Sequence, residues 1–90
     1  MTEYRIANHY YRWTIIDTHI VDGVKYALME SSIGDEAPYI LIKISALIVP
    51  KAFRTKSGDL VKLMWIPEEN IIDDEVYDDI ETALEDNDIL

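Results

Sequence analysis

No cysteine occurs anywhere in this chain of 90 residues, so its fold depends on no disulfide, and the absence fits a reducing compartment. The opening MTEYRIANHYYRW lacks the basic-then-apolar pattern of a secretory leader. Long hydrophobic runs are missing too: the longest, Tyr39 to Val49, spans 11 residues and carries Lys43 inside it, against roughly 20 apolar residues for a membrane helix. It reads as a buried strand, no membrane association is expected, and the expected setting is cytoplasmic. A last absence concerns charge of one sign. After Lys62 the chain contains no lysine and no arginine.

What is present fits a globular protein. A hydrophobic content of 49% with mean hydropathy −0.06 describes one domain, 1–90, with a single modest core. Residues 1–65 hold all eight basic residues against seven acids, a net of +1, while residues 66–90 hold eleven acids and no base, a net of −11. A near-neutral body, 1–67, therefore carries a strongly acidic segment, 68–90. Phosphate would repel that segment, so direct nucleic-acid binding by it is excluded, and a basic protein surface is its natural partner.

Along the body the hydrophobic pattern is that of strands. Two β-rich runs, near 10–21 and 24–30, flank Asp22-Gly23, a dipeptide suited to a type I′ hairpin turn because both central positions need positive φ. In the second run Val24, Tyr26 and Leu28 alternate with Lys25, Ala27 and Met29, as in a half-buried strand. Ser31 to Pro38 is a loop by composition. The run from Tyr39 places Ile40, Ile42, Ile44, Ala46 and Ile48 on one face and reads as the central strand, ended by Pro50. Thr55 to Asp59 makes a turn, and Leu60 to Ile66 returns as a fourth strand before Pro67. A short strand around Tyr4 to Ala7 would be a fifth. Short connections predict antiparallel pairing throughout.

In the acidic segment the period changes. Val76, Tyr77, Ile80, Ala83 and Leu84 recur at spacings of three and four, which predicts an amphipathic helix with Asp73 or Asp74 as N-cap. The expected fold is thus α+β, a small antiparallel β-sheet of four to five strands with one acidic C-terminal helix. On such a helix Asp74, Asp78, Glu81 and Glu85 form one stripe, and Glu75, Asp79 and Asp86 a second. Carboxylates four apart stand about 6 Å apart along the axis, while each DNA strand presents a phosphate about every 3.4 Å of axis. The two rows read either as an imitation of phosphate backbone or as a solvated face. Glu85, Asp86 and Asp88 lie where the helix dipole disfavours anions, which argues against selection for stability alone.

Other chemistry finds little support. DDEVYDDIETALE lacks the glycine and the alternating acidic spacing of a calcium loop, and His9 and His19, ten apart, match no zinc spacing; no metal or cofactor is assigned. There is no nucleophile elbow and no phosphate loop, and Ser31 and Ser32 beside Asp35 and Glu36 have no motif-placed histidine, so no enzyme is expected. Among the aromatics, Tyr10 and Tyr11 are adjacent strand residues on this reading. One ring should point outward as a binding anchor.

The segments YALMESSIGDEAPYILI, Tyr26 to Ile42, and VYDDIETALED, Val76 to Asp86, resemble small acidic proteins carried by phages and mobile elements of Gram-positive bacteria, in which such a hairpin loop precedes an acidic C-terminal segment. The resemblance implies a mobile-element origin and, as with anti-CRISPR and anti-restriction proteins that mimic DNA, a non-enzymatic inhibitor of a host nucleic-acid-binding defence protein such as a CRISPR effector nuclease. The expected partner-binding residues are Glu68, Glu69, Asp73, Asp74, Glu75, Asp78, Asp79, Glu81, Glu85, Asp86 and Asp88, with Tyr10 and Tyr11. The alternative is an acidic interaction module, antitoxin-like or accessory, held to its partner by the sheet and its aromatics. A homodimer is compatible with either.

Overall fold

In a computed structural model of the chain, which describes residues 2–34 and 38–90, seven strands form one sheet curled into a half-barrel. They are β1 (Tyr4–Ile6), β2 (Arg12–Val21), β3 (Val24–Ser31), β4 (Tyr39–Lys43), β5 (Val49–Arg54), β6 (Leu60–Ile66) and β7 (Ile71–Val76), followed by one helix, α1 (Ile80–Asp86). The order across the sheet is β5-β6-β1-β2-β3-β4-β7. The expectation of an α+β fold, a sheet of four to five strands with one acidic C-terminal helix, is therefore wrong. The protein is mostly β, 52% strand, and its helix has seven residues.

The Asp22-Gly23 hairpin forms as the sequence predicts: φ is +50° at Asp22 and +81° at Gly23, and Val21 pairs with Val24. Pairing is not antiparallel throughout. β1 runs parallel to β6, with Tyr4 opposite Met64 and Ile6 opposite Ile66, while its other edge pairs antiparallel with β2. Local connection length cannot reveal such a pairing, because the two strands are separated by most of the chain.

The run from Tyr39 to Val49 is not one strand. β4 ends at Lys43, and the chain turns through Ile44 to Ile48 before β5 starts. The break is fixed from a distance: the buried Asn70 donates from Nδ2 to the Lys43 carbonyl at 2.7 Å and to Ser45 Oγ at 2.8 Å. Pro50, expected to end the central strand, lies inside β5, which is a sheet edge, where a missing N–H is tolerated. Nor is β4 central, since only β7 lies beyond it.

Two cores, one on each face, explain the strands of unbroken hydrophobicity. Ile6, Trp13, Ala27, Met29, Ile40, Ile42 and Ile66 pack together from five strands and fill the concave side. On the outer side Leu28, Leu41 and Val76 meet Ile80, Ala83 and Leu84 of α1. β3 is accordingly buried on both faces at Ala27, Leu28 and Met29, where alternation had suggested a half-buried strand. A seven-residue helix would not persist alone in water. The burial of Ile80 and Leu84, worth about 1.5–3 kcal/mol each, holds it to the sheet.

Candidate functional site

The acidic segment is built from three pieces rather than one helix. After Pro67 a single 3-10 turn, Glu68–Asn70, leads into β7, and residues 77–79 connect β7 to α1. The cause of the difference lies in β4. Its outer edge would be left without hydrogen-bond partners, and Ile71 to Val76, with three β-branched residues, pairs along it with Val76 opposite Tyr39 and Ile71 opposite Ile42. Asp73 and Asp74 are weak helix formers and do not resist this.

Both expected stripes are consequently broken. Asp74 and Glu75 are on β7, Asp78 is in the connection, Asp79 caps the helix, and only Glu81, Glu85 and Asp86 are helical. The N-cap is neither Asp73 nor Asp74: Asp79 Oδ1 accepts the Thr82 N–H at 2.8 Å. That bond holds the Asp79 carboxyl below its ordinary pKa, first through the Thr82 backbone N–H and then through the Thr82 side chain, against a smaller opposing effect of desolvation. At the other end Asn87 is the C-cap and Asp88 has φ +60°. Asp73, half-buried, is a bracket: Oδ1 accepts from the Glu75 N–H and Oδ2 from Asn87 Nδ2, both at 3.0 Å, while the same Asn87 nitrogen donates to the Ala83 carbonyl.

The remaining carboxylates are free. Ten of the eleven, all but Asp73, are solvent-exposed, and among the described residues none lies within 4.0 Å of a lysine or arginine nitrogen. Nε2 of His9 lies 4.0 Å from Asp74 Oδ2. His9 sits at the end of β1 that faces β7. There, a cleft of about 560 Å³ separates β7 from the turn after β1 and is lined by Asn8, His9, Glu68, Asp73, Asp74 and Asn87 among others. Sequence reasoning noted of His9 only that it matches no zinc spacing. Only the parallel docking of β1, which brings residues 7–9 round to β7, gives it a role.

Tyr10 and Tyr11 both point into solvent, with 79% and 44% of their surface exposed. They precede β2 instead of belonging to it, so the alternation that would have buried one of them does not apply. Tyr77, 73% exposed, stands among the acids of the β7 to α1 connection. The loop Ser31 to Pro38, with Asp35 and Glu36 beside Ser31 and Ser32, lies in part outside the described residues, at 35–37; Ser31 itself ends β3 and is buried.

A second cluster went unnoticed in the sequence. On the outer face of β1, β5 and β6, the part α1 does not cover, the Arg5 guanidinium lies 5.4 Å from the centre of the Phe53 ring and Lys51 Nζ lies 4.8 Å from that of Trp65. The two rings are 5.9 Å apart. Strand alternation puts Lys51 and Phe53 on one face, yet only the register, with Val49 and Arg5 both opposite Trp65, brings the set together. Arg12, farther along, is ion-paired with Glu3 at 3.2 Å.

Among the described residues no group of three or more histidines and carboxylates is arranged to hold a metal ion, and no helix is long and apolar enough to cross a membrane. No family model, curated protein or solved structure matches the chain.

Proposed function

We propose that the protein is a non-enzymatic inhibitor, of the kind mobile elements direct at host defence, whose acidic end occupies the phosphate-binding surface of a nucleic-acid-binding protein such as a CRISPR effector nuclease. The observation that carries this reading is the set of ten exposed carboxylates from the 3-10 turn through β7 and α1 to Asp88, with no lysine or arginine beside them among the described residues. The form of the mimic differs from two rows on one helix. An edge strand and a short helix present the carboxylates as a two-element surface, held rigid by the Asp73–Asn87 bracket and the Asp79 cap. Charges fixed in this way lose little freedom on meeting a basic groove.

The test uses Asp74→Asn, Glu75→Gln, Glu81→Gln and Glu85→Gln together, leaving the cap and the bracket intact. Displacement of labelled DNA from a guide-loaded CRISPR nuclease is measured with both proteins as salt rises from about 50 to about 300 mM. The wild type is expected to displace DNA and to weaken steeply with salt, and the neutralised protein to lose most of its effect. Equal displacement by both would sink the reading. It would favour instead a module that binds through Tyr10 and Tyr11, which the exposure of both rings supports.

A further inference from the structure

The outer surface of the sheet is divided. Over β3, β4 and β7 it is covered by α1 and fringed with acid, whereas over β1, β5 and β6 it is bare and carries Arg5 and Lys51 on Phe53 and Trp65. Register and alternation put Arg5, Arg12 and Lys51 on this bare face beside Phe53 and Trp65, with Glu3 held by Arg12. Val49, opposite Trp65 on the same face, adds a 40% exposed apolar side chain. Such a face has the composition of a binding surface, with aromatic anchors and cations.

We infer that this basic, aromatic face docks the acidic end of a second copy of the same chain, head to tail. Charge complementarity selects that occupant. Exposed Asp78 directly follows the exposed Tyr77, and exposed Asp74, Glu75 and Glu81 lie within four residues of it along the chain, so the acidic end offers anions beside an aromatic anchor, and the bare face offers cations around two aromatic rings. A single-stranded nucleic acid fits less well. Both rings already carry a cation, so a base could stack only by displacing Arg5 or Lys51, and the protein as a whole has a net charge of −10. The contact joins two different surfaces, so it leaves one free face of each kind and propagates instead of closing on a dimer. The inference needs the carboxylates to be free; it does not need a host protein to take them.

Sedimentation velocity decides the matter, with two double variants. Arg5→Glu with Lys51→Glu removes the basic face, and Asp74→Asn with Asp78→Asn neutralises the acidic one without giving it cations that the first variant could bind. At about 50 mM salt the wild type is expected to form concentration-dependent species beyond the monomer, and raising salt to about 500 mM should weaken association by about tenfold or more. Each variant alone should be monomeric. Mixed in equal amounts they should form a dimer and nothing larger, because each supplies the one face the other lacks; a dimer in the mixture also shows that both variants are folded. The inference is overturned by a wild type that stays monomeric at low salt, by variants that still self-associate, or by a mixture that does not pair. It is overturned equally if the monomeric wild type binds a labelled oligo-dT strand that Arg5→Glu with Lys51→Glu does not bind. The basic-face variant should displace DNA from the nuclease as the wild type does, which separates this contact from the inhibitory one.

Discussion

Asn70 does more for the shape of this protein than its position among acidic residues suggests. Only 2% exposed, it fixes the point where β4 gives way to the Ile44 to Ile48 turn, and its own Oδ1 has no partner among the described residues. Asn70→Ala withdraws both donors from Lys43 and Ser45, and a buried acceptor left unpaired costs about 1–3 kcal/mol. Urea denaturation should show a loss of that size, and hydrogen exchange should show faster amides at Leu47 and Ile48, which bond to Ser45. An unchanged midpoint with unchanged exchange would show that the turn stands without the Asn70 bonds. Nothing in the sequence around Asn70 announces this role, since its partners are 25 and 27 residues away. Gly23 is the opposite case: its +81° φ is a local demand of a two-residue turn and was legible from Asp22-Gly23 alone.

At the scale of elements, what could be read depended on where the deciding partner lay. The body strands show in alternation and turn residues, because those signals are local. The spacing of Ile80, Ala83 and Leu84 likewise gave the helix and its buried face correctly. It failed at Val76 and Tyr77, where the same spacing continues but the open edge of β4 captures the chain first. Helix α1 depends on its cap, and the cap depends on a charge. The Asp79 carboxyl has a pKa below the ordinary 3.8 because its ionised form accepts the Thr82 N–H. A lowered folded pKa contributes stability that is fully present above the unfolded value and is lost as pH falls through the folded one. Asp79→Ala should therefore melt below the wild type at neutral pH, and the gap should narrow once pH drops under about 4. Asp79→Asn, which keeps an acceptor, should show a smaller gap with little pH dependence. A gap that persists unchanged in strong acid would mean that the cap does not work through the carboxylate.

The whole molecule keeps its charge in two territories, and this partition was fully visible as a count along the chain even though its geometry was not. Ten exposed carboxylates gathered on β7, α1 and the turns beside them repel one another in the folded protein more than in an extended chain. Added salt screens them, with a Debye length falling from about 30 Å at 0.01 M to about 8 Å at 0.15 M. The melting temperature should rise by several degrees over that range, and the protein with Asp74, Glu75, Glu81 and Glu85 neutralised should start higher and respond less. A wild-type melting temperature that falls with salt would show that its ion pairs outweigh the repulsion. The parallel pairing of β1 with β6 reaches further than shape. During synthesis β1 to β4 emerge as a run of strands whose neighbours in the sheet are consecutive, and both borders of that run are left bare. β1 obtains its second neighbour only when Met64 to Ile66 are made, 60 residues after Tyr4 to Ile6, a wait of about 3–12 s at about 5–20 residues per second. On the ribosome, the nascent chain therefore passes through a stage in which a four-stranded sheet has its first strand open to any passing polypeptide, and the rest of the chain, from Val49 on, arrives as two separate pieces that seal it, the β5–β6 hairpin on one side and β7 on the other.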